Sequence, residues 1–218
     1  KMGLKGYPRI AEELFVSRSI LLSKYTNAKI HLTSISSGGS VELIRCAKRE
    51  GVQITSDITS NQLCCTENLI ENYDSFAKAT PPFREEVDRK ALIEGLMDKT
   101  IDAISTGHQP FSIDDKLKEF DLAPSGVLGL ENSFYQAFLE LKMKIKEKML
   151  FLANTMSRTP SKILGLKPET FEVGAKANIF VFNPKAKTNL SREYEKDIGG
   201  SNLPFKSSEF DGKIIHTF

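Results

Sequence analysis

The sequence has no tryptophan, three cysteines, three histidines and almost no charge imbalance, and each scarcity excludes something. Thirty basic residues against 28 acidic leave a formal charge of +2, which makes no electrostatic case for nucleic acid or an anionic membrane surface. No apolar run approaches the roughly 20 residues of a membrane span. The opening "KMGLKGYPRI" is basic and broken by Gly and Pro, so it does not read as a secretory leader. Cys46, Cys64 and Cys65 are odd in number and lack zinc-site spacing, and neighbours in sequence pair with difficulty. Reduced thiols in a cytoplasmic protein are the expectation.

The remaining composition, 40% apolar and 27% charged over 218 residues, is that of a globular chain with a sizeable core. Residues 10–25 place Leu14, Ile20, Leu21 and Tyr25 at helical spacings. "AKIHLTSI" (28–35) reads as a buried strand. "SSGGSVELIRCAKREG" (36–51) reads as a turn and a helix that stops at Gly51. "VQITSDIT" (52–59) is a β-branched strand, "FAKATPPFR" (76–84) a short strand halted by two prolines, and 85–99 an amphipathic helix. "IDAIST" (101–106) is the next strand, followed by helices over about 131–146 and 147–157 and a short one near 160–165. Four strands alternating with helices predict a parallel α/β sheet, and four βα units are half of an eight-fold barrel. After residue 166 the texture changes: 171–184 and 212–218 read as strands of a small β-domain. The chain reads as the rear half of something larger, and the strand near residue 29 is expected to leave an open parallel edge.

Several motifs, in order, carry a family resemblance. "TPPFREEVDRKALIEGLMDKTIDAISTGHQPF" (80–111), "APSGVLGLENS" (123–133), "SRTPSKILGL" (157–166), "FEVGAKANIFVFNP" (171–184) and the closing "SNLPFKSSEFDGKIIHTF" (201–218) together resemble the C-terminal half of dihydroorotases, cyclic amidohydrolases of pyrimidine biosynthesis. The resemblance implies an α/β fold: residues 1–166 as the second half of an amidohydrolase-type TIM (β/α)8 barrel, about strands 5–8, and 167–218 as the C-terminal part of a small β-sandwich domain. It implies a hydrolase in which two zinc ions polarise a ring amide and activate a bridging water, with an aspartate after the last barrel strand shuttling the proton. Zinc is held in the family by a His-x-His pair and a carbamylated lysine, which correspond to nothing in this sequence. The remaining ligands are histidines after the fifth and sixth strands and that aspartate.

Those last three positions depart from the pattern. Where the family has its fifth-strand histidine this sequence has Ser34, with His31 displaced by an odd step that points it to the other face. The Thr-Pro-His-His-Leu motif is "TSNQL", placing Asn61 and Gln62 where imidazoles belong, and Thr-Asp-His-Ala-Pro is "TGHQP", placing Gly107 where the aspartate belongs. Neutral amides, a hydroxyl and a glycine are poor zinc ligands. No catalytic residue, metal site or cofactor is therefore expected. Vestigial substrate contacts fall on His108, Thr80 (where the family has Asn), Pro124 and Gly126. The local alternative for His108 is a loop histidine packed on Pro110.

The resemblance thus implies a dihydroorotase-like pseudoenzyme, an assembly partner of aspartate carbamoyltransferase, acting as a homo-oligomer or with a companion chain that carries the N-terminal half. The competing expectation is an active zinc-dependent dihydroorotase whose ligands come from that other half. Weaker features read blandly. Residues 36–40 are Gly/Ser-rich ahead of a helix, but lack the lysine of a phosphate-binding loop. Asp57 and Asp74 read as solvated or capping carboxylates, Cys64–Cys65 as inert thiols, and "KMKIKEK" (142–148) as a solvated helix face.

Overall fold

A computed structural model describes residues 3–167, 170–191 and 202–218. Helix α1 (Arg9–Thr26) leads into strand β1 (Ile30–Leu32), α2 (Gly38–Arg49), β2 (Ile54–Thr59) and the short α3 (Ser60–Cys64). Then follow α4 (Glu86–Met97), β3 (Ala103–Ser105), α5 (Ile113–Lys116), α6 (Ser133–Glu140), α7 (Ile145–Ala153) and α8 (Thr159–Ile163). A hairpin of β4 (Phe180–Ser191) and β5 (Ser207–Thr217) ends the chain.

The three early strands form one parallel sheet in the order β1-β2-β3, with Ile30 opposite Ile54 and Ile58 opposite Ile104. Its helical face carries the core, where Val41 and Ile44 of α2, Ile54 and Ile58 of β2, Leu92 and Leu96 of α4 and Ile104 of β3 are all buried. This is the βα rhythm expected from the alternating β-branched and amphipathic segments, with one strand fewer. Residues 76–84 form no strand: Ser75–Ala77 is a turn of 3-10 helix capped by Asp74, and β2 pairs directly with β3. Pro81 and Pro82 have no N–H to give a ladder, and the Lys78 carbonyl accepts from Gly126 N at 2.8 Å instead.

Three further elements have shifted bounds. The helix expected over 131–146 breaks after Glu140, because Leu141 turns extended and buries its side chain. The strand expected at 171–184 begins only at Phe180 and continues to Ser191, since 171–179 contains a turn at Gly174 (φ 87°) and finds no ladder partner until Ile179 meets Phe218. Its partner β5 starts at Ser207, earlier than the expected 212. The hairpin lies on α6 through rings: Phe182 sits 5.0 Å from Phe134 and 4.9 Å from Phe138, and Tyr135 sits 6.0 Å from Phe210.

Carboxylates bind α1, α2 and α4 together. Glu12 of α1 accepts from Ser36 N and Ser37 N, both at 3.0 Å, and Asp88 of α4 accepts from Gly38 N at 3.0 Å. The N-terminus of α2 is therefore filled by the protein's own anions, which is what its free N–H groups and dipole favour. The Gly/Ser-rich stretch is a strand-to-helix turn whose Ser36, Ser37, Gly38 and Ser40 N–H groups are taken by the protein's own side chains. Asp88 is clamped from the other side by Arg9, whose Nε lies 3.0 and 2.8 Å from the two carboxylate oxygens.

Burial works against ionisation of Asp88, but the Arg9 hydrogen bonds, the Gly38 N–H and the Arg9 charge outweigh it and hold the carboxyl below its usual range. A depressed folded value contributes stability above the unfolded pKa of about 3.9 and loses it as pH falls through the folded value. Asp88→Asn is expected to melt below the parent at pH 7, with the gap narrowing below about pH 4. Thermal melts across pH 2–7 check this, and a gap independent of pH would contradict it.

Candidate functional site at the strand ends

Each parallel strand delivers one of the three departing residues to the same edge of the sheet. Ser34, Asn61 and Gly107 stand two residues beyond the ends of β1, β2 and β3. Ligand sites of parallel α/β sheets form at these carboxyl ends. The three positions therefore share one edge of the sheet.

Ser34 has left-handed backbone (φ 59°), and its N–H donates to Asp57 Oδ1 at 3.0 Å. Because β1 ends at Leu32, strand alternation does not extend to Ser34, and the argument that an odd step turns His31 away loses its basis. His31 is committed for another reason: its Nε2 lies 2.9 Å from Asp57 Oδ2 and its Nδ1 lies 2.8 Å from Thr55 Oγ1. Asp57 is accordingly not a solvated carboxylate. It is buried, and it also accepts from Ser105 Oγ at 2.7 Å, so that one side chain joins all three strands. Sequence reasoning missed this. The available signal was a charged residue inside a β-branched strand, which demands partners if buried.

Asn61 is buried and its amide is engaged at both ends. Nδ2 donates to the Leu128 carbonyl at 2.9 Å, and Oδ1 accepts from Gln136 Nε2 of α6 at 2.8 Å. Gln62 turns away to the Pro81 carbonyl at 3.1 Å. Gly107 has φ 57°, and a Cβ built there would lie 2.6 Å from Thr59 Cγ2. A second glycine, Gly129, lets the next loop pass against the Thr106 carbonyl, with which a Cβ would overlap. Among the described residues no group of three or more His, Cys, Asp or Glu side chains could hold a metal ion. Ser34, Asn61 and Gly107 do not form a zinc donor set: one hydroxyl, one engaged amide and no side chain.

The substrate candidates are scattered among local roles. His108 bridges to Val127, and its Nδ1 accepts from Gly129 N at 3.3 Å and Leu130 N at 3.2 Å, so the ring serves as a loop clasp. Thr80 is exposed. Pro124 and Gly126 lie in a loop fixed by the fully buried Lys116, whose Nζ donates to their carbonyls at 2.9 and 3.0 Å. Asn202 Nδ2 adds a bond to the Gly126 carbonyl at 2.9 Å, and the Gly126 N–H is spent on Lys78. The adjacent thiols are protonated: burial raises Cys64 well above its ordinary value and pushes Cys65 up to about 12, and neither is a nucleophile near neutrality.

No family model matches the chain. The dihydroorotase of Caldanaerobacter subterraneus is 43% identical over 216 residues, covering 99% of this chain and 50% of that protein. The dihydroorotase of Ruminiclostridium cellulolyticum is 38% identical over 215 residues, covering 99% and 49%. This chain belongs to the dihydroorotase family. It spans about half the length of the curated relatives it matches. Among solved structures, a dihydropyrimidinase from Brevibacillus agri superposes with a TM-score of 0.84 at 21% identity, covering 97% of this chain and 48% of the other. The inactive dihydroorotase-like domain of a Chaetomium thermophilum CAD-like multifunctional protein superposes with a TM-score of 0.65 at 18% identity, covering 91% and 52%. These likenesses show the fold, part of an amidohydrolase barrel. No helix among the described residues is long and apolar enough to cross a membrane.

Two outcomes follow from the geometry. Asp57→Ala strands a backbone N–H, an imidazole and a hydroxyl, and is expected to cost about 3 kcal/mol of stability in urea unfolding. Gly107→Ala places a Cβ at positive φ against Thr59 and is expected to cost about 2 kcal/mol by the same measurement. Changes below about 0.5 kcal/mol in either variant would contradict these accounts.

Proposed function

We propose that this chain is a non-catalytic dihydroorotase-like protein of pyrimidine biosynthesis, retained as an assembly partner of aspartate carbamoyltransferase. The observation that carries the reading is the occupation of the strand-end site. Three positions that hold metal in the resembling family present Ser34, Asn61 and Gly107, and the Asn61 amide is tied to Leu128 and Gln136. An interface needs only a folded surface, so it survives changes that remove a metal site. The choice of partner rests on the family resemblance.

A second reading has its own support. Relatives up to 43% identical bear the name dihydroorotase, and the chain covers only half of their length. On that reading the chain contributes to a zinc-dependent dihydroorotase whose ligands come from another half. The two readings separate by measurement. Purified protein, alone and in whatever complex it forms at native expression levels, is analysed for zinc and assayed with dihydroorotate in both directions. The non-catalytic reading expects zinc far below stoichiometric and no turnover, with aspartate carbamoyltransferase among the co-purifying chains. Stoichiometric zinc with turnover would overturn it, and consistent absence of the carbamoyltransferase would remove the named partner.

A further inference from the structure

Helices α3 and α6 pack together and bring four polar side chains into the interior. Ser60, Asn61, Asn132 and Gln136 are each at most 1% exposed. Asn132 is the N-cap of α6, and Gln136 stands four residues further on the same face. Both reach across to Asn61, the chain neighbour of Ser60.

One carbonyl fixes the orientation of all three amides. The Leu128 oxygen can only accept, and Asn61 Nδ2 lies 2.9 Å from it, so the Asn61 oxygen faces α6. That oxygen takes Gln136 Nε2 at 2.8 Å, which commits the Gln136 nitrogen and leaves its Oε1 over. Asn132 Nδ2 lies 3.4 Å from the Leu128 carbonyl and 3.5 Å from Asn61 Oδ1, both acceptors, so its Oδ1 is left over too. Reversing any one of these amides would set oxygen against oxygen. Asn132 Oδ1, Gln136 Oε1 and the Ser60 hydroxyl are accordingly buried with no hydrogen-bond partner among the described residues. Arg84 Nη2 and Glu131 Oε2 share that condition, on side chains outside this network. Polar atoms at such depth are costly to leave unpaired, and native folds answer them with an ordered ligand.

The unmet groups have a definite count. Two amide oxygens need one hydrogen each, and the Ser60 hydroxyl has one hydrogen to give. A water molecule accepts one and donates two, and buried waters make about three hydrogen bonds. A cation matches less well. All three oxygens are neutral, and Ser60 opens α3 while Asn132 caps α6, so both helices turn their positive ends to the spot.

We propose that one water molecule is an integral part of this chain, held by Ser60 Oγ, Asn132 Oδ1 and Gln136 Oε1. It joins α3 to α6 and completes the network that grips Asn61. The site is independent of both readings of the function, since it needs neither catalysis nor a partner.

Ser60→Ala is the sharpest test, because the two cases differ in sign. The cap of α3 is untouched, since Thr59 supplies it. Deleting an unpaired buried hydroxyl is neutral or stabilising, whereas deleting one that holds the water is expected to lower the melting temperature by about 2–4 °C. High-resolution diffraction of the parent protein is expected to show a single density peak within hydrogen-bonding distance of all three oxygens. Melting in sodium, potassium and choline chloride at equal ionic strength reads the competing occupant, and equal temperatures are expected. A rise specific to sodium or potassium would assign a cation, with Glu131 as the neighbouring carboxylate in sequence, and overturn the proposal. An unchanged or higher melting temperature in Ser60→Ala would overturn it as well, as would the absence of density among the three oxygens.

Discussion

The Asp57 carboxylate is the constraint around which the strand ends are arranged. It takes the His31 ring and the Ser34 N–H from β1 and its exit, and the Ser105 hydroxyl from β3, while standing on β2 itself. Parallel strands only three residues long, as β1 and β3 are, have few ladder bonds of their own. A buried carboxylate that accepts from both neighbours replaces what length does not supply. Burying that charge is tolerable because donors meet both of its oxygens. From its place on β2 it also accepts the N–H of Ser34, whose backbone is left-handed.

The same logic fills the next layer. Asn61 and His108, at and beside the strand-end positions, are hydrogen-bonded to groups from distant segments. Asn61 draws in the Leu128 carbonyl and Gln136, and His108 collects two backbone N–H groups of the following loop. Lys116 and Asn202 hold the 124–126 loop by its carbonyls. A site organised around metal would keep such donors and acceptors pointed at a common centre. Here Asn61 Nδ2 meets the Leu128 carbonyl and Asn61 Oδ1 meets Gln136, while Ser60 Oγ, Asn132 Oδ1 and Gln136 Oε1 are buried without a hydrogen-bond partner.

On the helical side the molecule is cemented differently. Glu12 and Asp88 cap α2 from two neighbouring helices, and Arg9 and Arg84 flank those carboxylates.

Periodicity in the sequence was sufficient for α1, α2, α4 and the strands at 30, 54 and 103, because local sterics and burial of one face leave little choice there. The order of motifs was sufficient for the family. Other features were decided only in three dimensions. Whether 76–84 would pair depended on Gly126 competing for the Lys78 carbonyl, and whether Asp57 was solvated depended on residues 26 positions before it and 48 after it. Long-range hydrogen bonds leave no periodic trace in a sequence. A side chain's partners are set by which strands become neighbours, and that is a property of the folded chain alone.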